Sequence, residues 1–211
     1  METRLQLDKQ LSDLYQDILK MGALVEEALN KSIEALRNGD SELARSVISG
    51  DDAIDELHMV IEDRSTQIIA LEQPVATDLR ELITATKIGA DLERIGDHAR
   101  HIARVVQTLP AELLAIALPN IEEMARLGTS MVHDSLTAFV EQDPEQARAV
   151  ATRDDEIDAA HGRLYQSLVD VMRDRPEWIE HGVKLMFLNR YLERLGDHVT
   201  NICEWVIFAK T

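Results

Sequence analysis

The stretch LERIGDH at residues 92–98 returns as LERLGDH at residues 192–198, with leucine in place of isoleucine as the one change. A match of this length indicates that the chain is an internal duplication. In each copy a glutamate precedes an aspartate by four residues, and residues four apart lie on one face of an α-helix. Each copy therefore predicts two carboxylates side by side on a helix. These pairs are Glu93 with Asp97 and Glu193 with Asp197.

The duplication extends well upstream of this motif. DDAIDELH at residues 51–58 matches DDEIDAAH at residues 154–161, with three acids, the isoleucine and the histidine in the same places. Each copy spans about a hundred residues, which is an ordinary size for a small domain. We therefore predict two homologous domains, at residues 1–109 and 110–211.

The composition is that of an acidic globular protein. The net charge is −17, the pI is near 4.7, and 45% of the residues are hydrophobic. Such acidity disfavours binding to nucleic acid and to anionic membranes, and no apolar run reaches the roughly 18 residues of a membrane span. The single cysteine, Cys203, lies in an apolar run and is expected in the core. No signal peptide is visible, so we predict a cytoplasmic protein.

Helical periodicity accounts for nearly the whole chain. Six long segments are separated by turn and breaker residues. Within the segments, apolar residues recur at alternating steps of four and three, which is typical of a helix packed in a bundle. Long helices joined by short turns lie antiparallel, so we predict an all-α fold of two tandem, homologous, antiparallel three-helix bundles. The breaks are Asn38-Gly39-Asp40, Gln73-Pro74, Leu109-Pro110, Asp143-Pro144 and Asp174-Arg175-Pro176.

The repeated carboxylates predict a metal site in each domain. Carboxylate oxygens bind hard and borderline cations, and like charges four residues apart destabilise a helix unless something compensates them. Gly96 and Gly196 each cost about 1 kcal/mol relative to alanine in a helix, which indicates the close approach of another helix or a ligand. The second helix of each domain supplies further acids and a histidine. The predicted ligands are Glu93, Asp97, Asp55, Asp51 and His58 in the first domain and Glu193, Asp197, Asp158, Asp154 and His161 in the second.

Two other interpretations are open at the level of sequence. Arg94 and His98, like their counterparts in the second motif, follow the acids closely and could pair with them on a solvated face of a metal-free helical scaffold. A di-iron carboxylate oxidase built in a helical bundle is the other interpretation. It would need Glu-x-x-His pairs, whereas the spacings found are Asp55 to His58 and Asp158 to His161.

The doubled Glu-Arg-Ile/Leu-Gly-Asp motif resembles that of the PhoU family, in which an E/D-x-x-x-D motif occurs once in each three-helix repeat. QPVATDLR at residues 73–80 and NICE at residues 201–204 are also similar to segments of the family's first and second repeats. The resemblance covers essentially the whole chain. One departure is His101, at the position where Asn201 in the second repeat leads us to expect asparagine.

This resemblance implies a regulatory adaptor and not an enzyme. Family members are cytoplasmic, commonly dimeric accessory proteins of a high-affinity phosphate transporter. They relay the transporter's status to a membrane sensor histidine kinase, and they act as negative regulators of phosphate uptake and of the phosphate-starvation response. We therefore expect as partners the cytoplasmic components of a phosphate ABC transporter, a sensor histidine kinase and a second copy of this chain. We expect neither nucleic-acid binding nor direct insertion into a membrane.

The resemblance also implies a cofactor. The family's motif acids are associated with bound metal ions, which are iron, zinc, manganese or magnesium in different members. In this chain, the resemblance assigns metal binding to Glu93, Asp97, Glu193 and Asp197.

Overall fold

The computed structural model describes residues 2–106 and 109–210. Seven α-helices and one short 3-10 turn follow one another along these described residues, which contain no strand. The helices are α1 (Glu2–Asn38), α2 (Ser41–Glu72), α3 (Thr77–Arg104), α4 (Ala111–Glu141), α5 (Pro144–Ala151), α6 (Asp154–Asp174) and α7 (Ile179–Lys210). The 3-10 turn, Pro176–Trp178, leads into α7.

Every break predicted from the sequence separates two helical elements. Gly39 adopts a φ of 65° between α1 and α2, and the side chain of Asp40 accepts two backbone hydrogen bonds from the first turn of α2. Asp143 caps α5 in the same way, with Pro144 as the first residue of that helix. Such caps satisfy N–H groups that have no partner within the helix, and proline lacks the N–H that would be unsatisfied at this position.

The second domain contains one break that the sequence pattern does not predict. Its middle segment forms two helices, α5 and α6, which end and begin around Thr152 and Arg153. The Arg153 side chain points to α4, where Nη1 lies 2.5 Å from Asp134 Oδ2 and Nη2 donates to Ser130 Oγ at 3.0 Å. Neither glycine nor proline marks this break, so only the tertiary contacts reveal it.

Helices α1 to α3 form one bundle, and α4 to α7 form the other. The apolar stripe predicted on α3 is buried in the core of the first bundle, and its counterpart on α7 is buried in the second. The predicted fold of two homologous three-helix bundles is therefore confirmed, with the middle helix of the second bundle split in two. The buried stripes are Ile88, Leu92, Ile95, Ala99 and Ile102 on α3, with Val106 just beyond its end, and Leu188, Leu192, Leu195, Val199 and Ile202 on α7.

The two bundles meet along two pairs of helices, α3 with α7 and α1 with α4. Helices α3 and α7 run antiparallel. Thr84, early in α3, donates its hydroxyl to the carbonyl of Trp205, late in α7, at 3.3 Å, whereas His98, later in α3, stacks on Tyr191 of α7. Both copies of the repeated motif therefore lie on the central pair of helices.

Cys203 lies on α7 and is fully buried, so its predicted place in the core is confirmed. Burial raises the pKa of its thiol to about 12. Among the described residues, no helix is both long enough and apolar enough to cross a membrane.

Candidate metal sites

In the first bundle, acids of α2 and α3 face each other across the helix contact. Asp51 on α2 is 3% exposed and lies against the motif glycine of α3. A Cβ at Gly96 would stand 3.0 Å from Ile54 Cδ1 and 3.7 Å from Asp51 Oδ1, so the glycine is explained by the close approach of α2. The first acidic cluster is Asp51, Asp55, His58, Glu93 and Asp97.

Burial and mutual repulsion raise pKa values within the first acidic cluster. The pKa of Asp51 is raised from 3.8 to about 6 by burial, against the pull of Arg100, and the neighbouring carboxylates of the cluster add to the shift. The pKa of Glu93 is raised too, mainly by burial and further by Asp97 and Asp55. Because these acids influence one another's ionisation, a cation placed among them would interact with several carboxylates at once.

An arginine of α3 bridges two acids of the first acidic cluster. Arg100 Nη1 lies 2.6 Å from Asp51 Oδ2, within ion-pair distance although Oδ2 has no well-directed hydrogen bond. The two groups still form an ion pair, because charge attraction depends on separation more than on direction. Arg100 Nη2 also donates to Asp97 Oδ1. Further out, the Arg94 guanidinium stands 3.5 Å from both Glu93 and Asp97, and its 62% exposure means that water screens the contact.

The second bundle repeats the arrangement without the bridging arginine. A Cβ at Gly196 would collide with Asp154 Oδ1, so here an aspartate of α6 lies directly over the motif glycine. The pKa of Asp154 is raised from 3.8 to about 6 by burial and then by the surrounding carboxylates. The pKa of Glu193 is also raised, by burial and then by Asp197. The second acidic cluster is Asp154, Asp158, His161, Glu193 and Asp197.

The donor atoms of the second acidic cluster suit a divalent or transition metal ion. Asp154 Oδ1, Glu193 Oε2 and His161 Nδ1 are buried atoms without hydrogen-bond partners. Carboxylate oxygens and an imidazole nitrogen are ligands for magnesium, manganese, zinc and iron. In the part of the chain that the structure describes, no three such side chains are already arranged to hold an ion, so binding would require side-chain rotations.

The structure places all ten predicted ligands on these two facing pairs of helices. Asp51, on α2, and Asp154, at the start of α6 in the split middle helix, are the acids that lie against the motif glycines. Metal binding by either cluster stays a prediction.

The motif histidines lie apart from the motif acids, between the two bundles. His98 is 8% exposed, and neither of its ring nitrogens has a hydrogen-bond partner. Burial, as the largest cause, and the nearby His198, His101 and Arg194 together lower its pKa from 6.5 to about 4. His198 Nδ1 lies 2.9 Å from Asp91 Oδ1 of the other bundle. These histidines therefore belong to the contact between α3 and α7. Of the residues expected to pair with the motif acids on a solvated face, Arg94 does so and His98 does not.

Two residues of these sites were missed by sequence reasoning. Arg100 reaches the first acidic cluster, and the fully buried Asn189 lies one helical turn before Glu193 in the second. Each occupies a position at which the repeats differ in chemistry, because Thr200 corresponds to Arg100 and Gly89 to Asn189. This difference between the two repeats was the signal in the sequence that could have identified both residues.

Known proteins match this chain over nearly its full length. The family model of the PhoU domain matches residues 18–106 and 121–206. The chain is 36% identical over 210 residues to the phosphate-specific transport system accessory protein PhoU homolog of Clostridium acetobutylicum, which covers 99% of this chain and 96% of that protein. It is similar to the crystal structure of the phosphate transport system regulatory protein PhoU from Streptococcus pneumoniae, with a TM-score of 0.90, 34% identity and 97% of both chains covered. PhoU from Pseudomonas aeruginosa gives a TM-score of 0.89 at 33% identity, covering 96% of this chain and 98% of that one.

Proposed function

Because this chain belongs to the PhoU family, we propose that it is an accessory protein of a phosphate-specific transport system and acts as a negative regulator. The observation that carries this proposal is the match, over 99% of this chain and 96% of the relative, to a protein named as an accessory protein of such a transport system. In the proposed role the chain restrains phosphate uptake and the response to phosphate starvation. It acts by binding to other proteins and not as an enzyme.

The proposed partners are the cytoplasmic components of the phosphate ABC transporter, a sensor histidine kinase and a second copy of the chain. The protein works in the cytoplasm, where the transporter and the kinase bind its long helical surfaces. The net charge of −17 favours basic surfaces on those partners, since complementary charge speeds and orients association. Competition for this surface, or simultaneous binding to it, would couple transport to signalling.

We propose that metal ions, such as iron, zinc, manganese or magnesium, bind the acidic clusters and regulate this docking. The ion would supply positive charge among carboxylates that now repel one another. The residues that would hold it are Glu93 and Asp97 with Asp55 and Asp51 in the first bundle, and Glu193 and Asp197 with Asp158 and Asp154 in the second. Such binding changes a docking equilibrium only if the two docking states bind the ion with different affinity.

The regulatory role is tested by deleting the gene in its host. With abundant phosphate, we expect a phosphate-starvation promoter fused to a reporter to be switched on in the deletion strain and silenced again by the wild-type gene. Phosphate uptake, followed with labelled phosphate, should rise in parallel. Unchanged reporter activity and unchanged uptake in the deletion strain would contradict the proposal.

The metal proposal is tested by elemental analysis of gently purified protein. We compare the wild type with the quadruple variant Glu93→Gln, Asp97→Asn, Glu193→Gln and Asp197→Asn. The matched control removes four exposed charges elsewhere, by Glu27→Gln, Asp52→Asn, Asp63→Asn and Glu180→Gln. Loss of stoichiometric metal from the first variant alone supports the proposal, and equal metal in all three proteins contradicts it.

A further inference from the structure

We propose that Arg100 is a built-in counter-ion of the first acidic cluster, so that the second acidic cluster alone provides a tight site for a divalent cation. The inference rests on the metal binding proposed above and assigns it to one of the two repeats. It concerns residues at which this chain's two repeats differ from each other.

The position of the Arg100 guanidinium is the first step. Its Nη1 lies 2.6 Å from Asp51 Oδ2 and its Nη2 bonds Asp97 Oδ1, so one positive group links an acid of α2 to an acid of α3. A divalent cation bound by the same two carboxylates would have to displace this group or lie beside it. The guanidinium is always charged, and it belongs to the same helix as Asp97, three residues further on. Binding of a metal ion therefore competes with an intramolecular ion pair.

The corresponding place in the second bundle has no such group. Thr200 replaces Arg100 and carries no charge, and within the described residues Asp154 makes no ion pair, while one of its oxygens is buried without a partner. Arg190 reaches Glu193, but it approaches through Oε1 with a side chain that is 53% exposed, and Oε2 remains buried and unpartnered. The first bundle thus shows where the fold accommodates a cation, and the second presents the same acids without one.

Asn189 is an independent sign of a ligand in the second bundle. It is fully buried one turn before Glu193, and its Nδ2 donates to the carbonyl of His161 at 3.1 Å. Its Oδ1 is buried and has no hydrogen-bond partner. Buried polar atoms are nearly always satisfied, and a carboxamide oxygen is a ligand of Mg²⁺, Mn²⁺ and Ca²⁺. The first bundle has Gly89 here and offers no such oxygen.

The test is a titration with Mn²⁺, followed by the loss of the free-ion electron paramagnetic resonance signal and by calorimetry. We expect one class of tight site in the wild type. Arg100→Ala should add further bound Mn²⁺ by opening the first acidic cluster. Thr200→Arg should weaken the wild-type site about tenfold or more by bringing the same guanidinium into the second bundle, and Asn189→Ala should weaken it by a similar factor, as removal of a supporting residue does at metal sites.

Two surface substitutions serve as matched controls. Arg45→Ala removes an arginine that pairs with Glu42 three residues away at 61% exposure, and Ser46→Arg adds a charge at an exposed position of α2. Both should titrate like the wild type. If Arg100→Ala does not fold, as judged by circular dichroism, Thr200→Arg still decides the matter.

The outcomes separate this inference from the proposal on which it rests. Two equal sites in the wild type, with no change in Thr200→Arg, overturn the inference and leave metal binding intact. Absence of Mn²⁺ binding in every protein overturns both the inference and the metal part of the proposed function, while the reporter and uptake measurements still test the regulatory role. A single class of site that responds to Thr200→Arg and not to Ser46→Arg supports the inference.

Discussion

The two acidic clusters have the same set of acids but balance their charge differently. In the first bundle Asp51 is almost fully buried and paired with Arg100, and Asp97 has an 18% exposed side chain. In the second bundle Asp154 lies over the motif glycine with no ion pair among the described residues, and Asp197 is exposed. The duplication has kept the acids and the glycine, whereas the residues beside them have diverged.

This difference distinguishes the residues that helix packing requires from those that a metal site requires. The glycine at position 96 or 196 is required in both repeats because a side chain of the neighbouring helix lies against it. The acids are compatible with that packing whether a guanidinium neutralises them or not. Equal motifs therefore need not mean equal sites, and substitutions of Arg100, Asp51 and Asp154 test this directly.

The largest expected effect is that of Arg100→Ala on stability. It leaves Asp51 buried without its counter-ion, and because Asp51, with a pKa of about 6, can then take up a proton at about 1.4 kcal/mol per pH unit, the loss should be about 2 kcal/mol. The free energy of unfolding, from urea denaturation of metal-free protein at pH 7.5, measures the loss. Arg45→Ala, which breaks an exposed pair, should stay within about 0.5 kcal/mol of the wild type. A similar loss from both variants would show that Arg100 has no special role.

The next effect is a gain in stability that should differ in size between the two bundles. The pKa of Asp154 is raised from 3.8 to about 6, which at about 1.4 kcal/mol per unit amounts to at most about 3 kcal/mol of unfavourable ionisation in the folded state. Asp154→Asn should therefore stabilise the metal-free protein at pH 7.5 by about 1 to 2 kcal/mol. Asp51→Asn should stabilise it by less, because the raised pKa of Asp51 also makes its ionisation unfavourable, whereas the substitution takes one anion away from Arg100. Equal gains from the two variants in urea denaturation would remove the distinction between the clusters.

The pH dependence of that stabilisation follows from the direction of the shift. The folded state raises the pKa of Asp154 above its unfolded value, so ionisation costs stability above pH 6, and the cost is relieved as the pH falls from about 6 towards 4. We expect the advantage of Asp154→Asn over the wild type to fall by about 1 kcal/mol between pH 7.5 and pH 5. Urea midpoints at the two values measure it, and an advantage that grows on acidification would refute the assignment.

The smallest expected effect, that of removing a helix cap, serves as a control for the comparison of the two bundles. Asp40 and Asp143 cap α2 and α5 with the same pair of hydrogen bonds at equivalent places in the two repeats. Replacement of either by alanine should cost about 1 kcal/mol, and the two losses should agree to within a few tenths. Unequal losses in thermal or urea unfolding would mean that the bundles respond differently even to matched changes, and the contrasts at Arg100 and Asp154 would need correction for it.

Much of the fold could be predicted from local signals in the sequence. Gly39, Asp40, Asp143 and Pro144 mark helix ends through their own backbone preferences, and the apolar spacing of α3 and α7 identified their buried faces. The break near Arg153 could not be predicted, because no glycine, proline or capping side chain marks it, and the contacts of Arg153 with α4 join different helices. The pairing of α3 with α7 depends in the same way on contacts between distant parts of the chain.

The candidate sites could be predicted in part. The acids were found because their spacing recurs, and spacing along one helix is visible in a sequence. The partnership of Asp51 with Arg100 was not found, since it joins two helices and the residues are far apart in the chain. Asn189 was not found because the feature that singles it out is a buried side-chain oxygen without a hydrogen-bond partner, and burial is visible only in the structure.

The buried thiol of Cys203 gives this protein a built-in probe of its own opening. It is the chain's single cysteine, it is inaccessible in the folded bundle, and its raised pKa keeps it unreactive. A thiol reagent can therefore modify the protein only when α7 separates from its neighbours, and the labelling rate reports how often that happens. Measured with and without Mn²⁺, this rate gives the kinetics of the motif-bearing helix without any engineered label.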